Sequence, residues 1–100
     1  MRTLELTPDA NDDLIEIWRQ ISDHNVDAAD RMIDRIFRDL DMLCRFPGFG
    51  HTREDVKVRA YRFWTVDPFV LVYRYSSTEL LLMRVIHGRR DIRTMFDLSR

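Results

Sequence analysis

The stretch Glu79-Leu80-Leu81-Leu82-Met83-Arg84-Val85-Ile86-His87 constrains the chain more than any other. It is apolar at almost every position and sits between Ser76-Ser77-Thr78 and Gly88. A run of that length with turn residues at both ends reads as a strand. Being apolar on both faces, it belongs inside a sheet rather than at its edge. It empties into Arg89-Arg90-Asp91, so its far end is expected to bring Arg84, His87, Arg89 and Arg90 to one place on the surface.

The preceding chain supplies the rest of the sheet. Val56–Val66 and Phe69–Tyr75 are strand-like, separated by Asp67-Pro68 and followed by the serine turn, which predicts an antiparallel meander of three strands. Along the middle strand Phe69, Leu71, Tyr73 and Tyr75 alternate with Val70, Val72 and Arg74, so both faces carry apolar residues. A single helix hairpin covers one face only. The other is expected to be left apolar and basic, to be covered by another polypeptide or by the C-terminal segment folding back.

Upstream the period is helical. Thr3-Leu4-Glu5-Leu6 alternates as a short strand, and Thr7-Pro8-Asp9 then opens a helix with a capping hydroxyl, proline at its first position and an acid near the positive dipole end. Ala10, Leu14, Ile17, Trp18 and Ile21 form its apolar stripe, Trp18 being read as core, and Asp12, Asp13, Glu16 and Asp23 are left for water. His24-Asn25 is expected to end the helix, with Asn25 in the left-handed region, and Asp27 to cap a second one. That second helix carries Ala29, Met32, Ile33, Ile36, Phe37, Leu40, Leu43 and Cys44 on one side. Acid–arginine pairs four apart (Asp27/Arg31, Asp34/Arg38, Asp41/Arg45) lie on the other. Phe46-Pro47-Gly48-Phe49-Gly50 breaks it. Arg89–Ser99 is expected to form a short final helix through Ile92, Met95 and Phe96. The predicted order is β-α-α-β-β-β, an α+β fold with a small antiparallel sheet against an N-terminal helical hairpin, residues 1–100 forming one domain.

Composition narrows the classes. At 45% hydrophobic and 33% charged the chain reads as a compact soluble protein, and no apolar run approaches the roughly 20 residues of a membrane helix. Its N-terminus lacks a signal-peptide core, and the lone Cys44, read as core filler, suits a reducing cytoplasm, where we expect the protein to reside. The net charge of −1 hides an asymmetry: residues 1–50 carry six arginines against eleven carboxylates, and residues 51–100 ten Lys/Arg against six. A basic half suggests a surface directed at something anionic, although ordinary solvated charge accounts for the count equally well. A pI near 6.3 argues against strong phosphate affinity, hence against a direct DNA-binding module.

Several landmarks together resemble the RelE/ParE toxins of bacterial type II toxin–antitoxin modules. They are Leu6-Thr7-Pro8-Asp9-Ala10, Asp13-Leu14 with Ile17-Trp18, Ala29-Asp30-Arg31, Phe46-Pro47 with Gly50, Tyr73-Arg74, and Arg84-Val85-Ile86-His87-Gly88-Arg89-Arg90-Asp91. The last of these is more similar to the ParE branch. The resemblance implies a toxin with no cofactor, held inactive by an antitoxin encoded beside it, one with a ribbon-helix-helix DNA-binding domain through which alone the module would reach operator DNA. ParE-like members are associated with inhibiting DNA gyrase, RelE-like members with cutting messenger RNA on the ribosome. A degenerate member would bind its antitoxin without being toxic.

The residues themselves bear on this choice. Metal-free RNA cleavage needs a base for the 2′-hydroxyl, cations for the phosphorane and an acid for the 5′-oxygen. Cations abound in Arg59, Arg62, Arg74, Arg84, Arg89 and Arg90. The RelE branch takes its acid and base from lysines, a glutamate or histidine, and a late tyrosine, whereas this chain has one lysine, Lys57, and no tyrosine after Tyr75. Under the nuclease alternative His87 would move the proton, with Arg84 or Arg62 beside the phosphorane and Glu54 or Asp55 as the only partners in view. A structural role for His87 at the strand end is the competing reading. His24, His51 and His87 lack the spacing of a metal site, so no metal is expected. The reading adopted is therefore a binding protein, not an enzyme, that grips its target or antitoxin through Arg59, Arg62, Tyr73, Arg74, Arg84, His87, Arg89 and Arg90.

Overall fold

The local signals at Thr7-Pro8 act as expected. In the computed structural model, which describes residues 1–53 and 60–88, the Thr7 hydroxyl accepts the Ala10 N–H at 3.0 Å and starts helix α1 (Pro8–Ser22). A short link leads into α2 (Val26–Arg45). Its cap is Asn25, whose side chain accepts from the Ala28 N–H, and Asp27 sits in the first turn. Asn25 is therefore extended (φ −161°) and not left-handed: with only Asp23–Asn25 between the helices, it is used to begin the second rather than to end the first. Of the expected pairs along α2, only Asp41–Arg45 closes, at 3.8 Å.

The strands are β1 (Thr3–Leu6), β2 (Arg62–Val66), β3 (Phe69–Tyr75) and β4 (Glu79–His87), in the order β1-β4-β3-β2. β4 is internal, as its apolar content requires. Pairings β2–β3 and β3–β4 are antiparallel, but β1 lies parallel to β4, so the sheet is mixed rather than antiparallel throughout. The helical hairpin is the crossover that lets β1 point the same way as β4. The strand expected from Val56 is observed from Arg62; residues 54–59 and the expected C-terminal helix lie outside the described residues.

The hairpin packs on one face of the sheet, where Leu14, Ile17, Ile36, Leu40 and Leu43 meet Phe69, Leu71, Tyr73, Leu80, Leu82 and Val85. Leu82 and Val85 are an odd number apart yet share that face. A β-bulge reconciles them: Val72 opposes Arg84 and Tyr73 opposes Leu82, leaving Met83 as the extra residue. On the reverse face Phe63, Val70, Val72 and Ile86 form a second cluster with Tyr61 and Met83 at its border. These four residues are at most 7% exposed. Of the two covers expected for this face, another polypeptide is not needed for these four side chains, which are buried within the chain. Two stripe residues are also not core: Trp18 and Phe37 are each 39% exposed, and the Trp18 indole N–H donates to Asp30 at 2.8 Å.

Tyr73 locks the break after α2 to the sheet. Its side chain is wholly buried, its hydroxyl donates to the Pro47 carbonyl at 2.5 Å and accepts the Gly50 N–H at 2.9 Å. A Cβ at Gly50 would collide with the Tyr73 hydroxyl, so glycine is required there by close approach. Tyr73→Phe is expected to lower the unfolding free energy by about 1–3 kcal/mol in urea titrations, because two buried backbone groups lose their partner.

Burial also raises the Tyr73 hydroxyl above its ordinary 10.0, opposed more weakly by the Gly50 N–H, and raises the Cys44 thiol above 9.0. The unfolded chain releases these protons first, so the folded state binds more protons once pH passes about 9. Stability from both groups is complete below that pH and lost as pH rises further. Urea midpoints measured from neutral to alkaline pH should fall, and Tyr73→Phe should flatten part of the decline.

Candidate functional site

The central observation is an ion pair 71 residues apart in sequence. Arg84 Nε and Nη2 donate to the two oxygens of Asp13 at 2.8 and 3.0 Å, and Asp13 Oδ2 also accepts the Val85 N–H at 2.9 Å. Asp13 is only 16% exposed in its side chain and Arg84 35%. Asp13 is therefore not left for water, as its place among the acids of α1 suggested. It joins α1 to β4, and the Arg84 fork is turned toward the helix. Sequence spacing carries no trace of this pair, because nothing local links the two positions.

At one end of the sheet Arg62 Nη1 donates to the Gly50 carbonyl at 2.9 Å, and its guanidinium lies 5.8 Å from the centre of the Tyr75 ring. Arg2 lies over the same ring at 5.3 Å and donates to the Ser76 carbonyl. Tyr73, beside them, is wholly buried and offers no surface to a partner. Arg74 is exposed on the strand between the two tyrosines.

His87 stands at the opposite end, where β4 pairs with Phe69 and the two rings meet edge to face at 5.7 Å. It lines a cleft of about 220 Å³ with Asp13, Glu16, Gln20 and Val85. The carboxylate neighbours are therefore on α1, which the sequence reading missed in looking to Glu54 and Asp55. Both are engaged: Asp13 with Arg84, and Glu16 with Arg19 and Gln20 at 3.0 and 3.2 Å. A separate hollow of about 310 Å³ is lined by His51, Arg53, Phe63, Thr65 and the Asp67-Pro68 turn. Among the described residues no group of three or more His, Cys, Asp or Glu gathers as metal ligands would. None of their helices is long and apolar enough to cross a membrane.

Of the four residues expected together at the exit of β4, Arg84 and His87 are described, and both adjoin Asp13 of α1. Arg84 turns to α1, His87 to Phe69, and Arg62 to the glycine loop at the other end of β3. Arg59, Arg89 and Arg90, with Lys57, Glu54 and Asp55, lie outside the described residues.

A family model described as the ParE toxin of the type II toxin–antitoxin system, parDE, matches residues 4–92. The chain belongs to that family. This ParE-family chain is 27% identical to Toxin ParE3 of Caulobacter vibrioides over 81 residues, 80% of each protein. It is 28% identical to Toxin RelE3 of the same organism over 88 residues, 88% of this chain and 96% of that protein, so the similarity runs to both branches. A solved structure of the chromosomal ParDE system from P. aeruginosa shares the fold, with a TM-score of 0.74, 22% identity, and coverage of 89% of this chain and 98% of that one.

The Asp13 fork yields a stability prediction for the ParE-family fold. Asp13→Ala strands a part-buried guanidinium and a strand N–H, and should cost about 2–3 kcal/mol in chemical denaturation. Asp13→Asn, which keeps an acceptor for Val85, should lose less.

Proposed function

We propose that this ParE-family toxin acts by binding DNA gyrase and is held inactive by a cognate antitoxin, a short protein with a ribbon-helix-helix DNA-binding domain encoded beside it. The observation that carries the reading is the Arg84–Asp13 pair. The strand arginine best placed to steady a phosphorane is committed to α1, and the carboxylates near His87 already have partners. A site that must cycle protons needs a base with a free lone pair within reach of its acid, and cations turned toward the phosphate. A surface that grips another protein needs neither. The ParDE system of P. aeruginosa, whose fold this chain shares, supports a paired antitoxin.

Purified toxin is expected to inhibit gyrase supercoiling while leaving translated messenger RNA uncut, and added antitoxin should restore supercoiling. Codon-specific cuts on ribosomes with supercoiling unchanged would overturn the proposal.

Two observations favour a second reading, ribosome-dependent RNA cleavage: His87 shares its cleft with Asp13 and Glu16, and the chain is similar to Toxin RelE3 along most of its length. In that case His87→Ala should abolish cleavage while leaving thermal stability and antitoxin binding as they were. Undiminished cleavage by that variant would remove His87 from the chemistry.

A further inference from the structure

The outer side of α2 carries a charge pattern that neither the core nor the β4 exit uses. Asp27, Arg31, Asp34, Arg38, Asp41 and Arg45 alternate in sign along the helix, and all are exposed. Spaced by four and three residues in turn, they fall on one stripe, opposite the buried Ala29, Ile36, Leu40 and Leu43. Were the stripe only a set of supports within the helix, its acids would close on the arginines four residues on. Among the described residues only Asp41 and Arg45 approach each other, at 3.8 Å, which is beyond hydrogen-bond range. Asp27, Arg31, Asp34 and Arg38 have no ion-pair partner among those residues. Phe37, between Asp34 and Arg38 in sequence, lies on one flank of the stripe and is 39% exposed.

We infer that α2 is an interface between two copies of this chain, packed antiparallel about a two-fold axis that passes between Asp34 and Arg38. The order of signs selects this occupant. Reversing the stripe about its midpoint sets Asp27 against Arg45, Arg31 against Asp41 and Asp34 against Arg38, an acid facing an arginine in every row. The two-fold axis repeats each row, so every charge of the stripe meets its opposite in both copies. A parallel two-fold pairing would instead set each residue against itself, acid on acid and arginine on arginine. A uniformly acidic or basic partner would be attracted to half of the stripe and repelled by the other half. Beside the axis the two Phe37 rings supply apolar contact at the centre of the interface. Arg35, exposed on the opposite flank, approaches its own copy and keeps the pairing weak. Exposed ion pairs add little singly, so they fix orientation and register more than affinity. Pairing through α2 is independent of which target the toxin meets.

The test is sedimentation velocity on the purified full chain. A dimer dissociating in the micromolar range is expected at low salt, and a monomer at about 1 M salt, where the screening length falls to about 3 Å. Asp34→Arg and Arg38→Asp each set like charges face to face twice, and each should weaken the dimer about tenfold or more. Mixing the two variants should restore it, because the introduced arginine then faces the introduced aspartate and the native Arg38 faces the native Asp34. One chain carrying both exchanges should dimerise as the parent does. Helical content by circular dichroism should match the parent throughout, since both side chains lie at the surface. A parent that stays monomeric at low salt, a dimer untouched by the single variants, or a mixture that stays monomeric would overturn the assignment. So would a monomeric parent whose antitoxin binding falls in both single variants, which would give the stripe to the antitoxin.

Discussion

Among the described residues the central strand has no strand neighbour on its β1 side past Leu82, and helix α1 takes that place. The Thr7 N–H donates to the Leu82 carbonyl at 3.1 Å, the Thr7 hydroxyl to the Met83 carbonyl at 2.7 Å, and Asp13 accepts from Val85 while gripping Arg84. Thr7 therefore serves twice, as helix cap and as the last link of the β1 edge. An unpaired strand edge under a helix would hold buried backbone groups without partners, each a loss of about 1–3 kcal/mol. The carboxylate removes that loss and adds a bidentate, charge-assisted contact. It also sets where α1 sits on the sheet, and through the short link to α2 it sets the whole hairpin. The apolar core that follows is large but non-directional. The polar contacts at Thr7 and Asp13 are what choose one placement of the helices over its neighbours.

The bulge at Met83 belongs to the same arrangement. A regular strand would put Leu82 and Val85 on opposite faces, one of them away from the hairpin. The extra residue restores both to the helix side and passes Met83 to the second cluster. It falls where β1 ends and α1 takes over, so the change of neighbour and the change of phase occur together. At the far end of β3, Tyr73 performs a comparable service for the loop after α2, with Gly50 small enough to let the ring approach.

Features legible in the chain were those carried by short-range pattern. Thr7-Pro8, the apolar run of β4 with its stated ends, and the Phe46-to-Gly50 break all came through because capping, period and punctuation act over a few residues. Errors arose where one residue could satisfy two neighbours. Asn25 suits a helix end and a helix start equally, and only the length of the link decides. Trp18 and Phe37 fall on apolar stripes by spacing but sit at the margin of the interface, where the hairpin leaves them part-exposed. The candidate site suffered most. Two arginines of the group, Arg62 and Arg84, are held by contacts spanning 12 and 71 positions, to Gly50 and to Asp13. Neither charge patterning nor periodicity reports pairing at that range.

This division bears on what one fold shared by ParE- and RelE-named toxins can do. Fold alone does not assign activity, so the difference must lie in which side chains are held and which are left to act. An arginine in a two-point clamp with a part-buried carboxylate has its fork filled and its position fixed by the core. Turning it to a phosphate would break both bonds and strand Asp13 beside the Val85 N–H. Arg2 and Arg62 are held differently, by carbonyls and a ring, which orient a guanidinium without neutralising it. Among the described residues Arg84 is thus a structural cation bound to a carboxylate, whereas Arg2 and Arg62 at the Tyr75 end have no carboxylate partner.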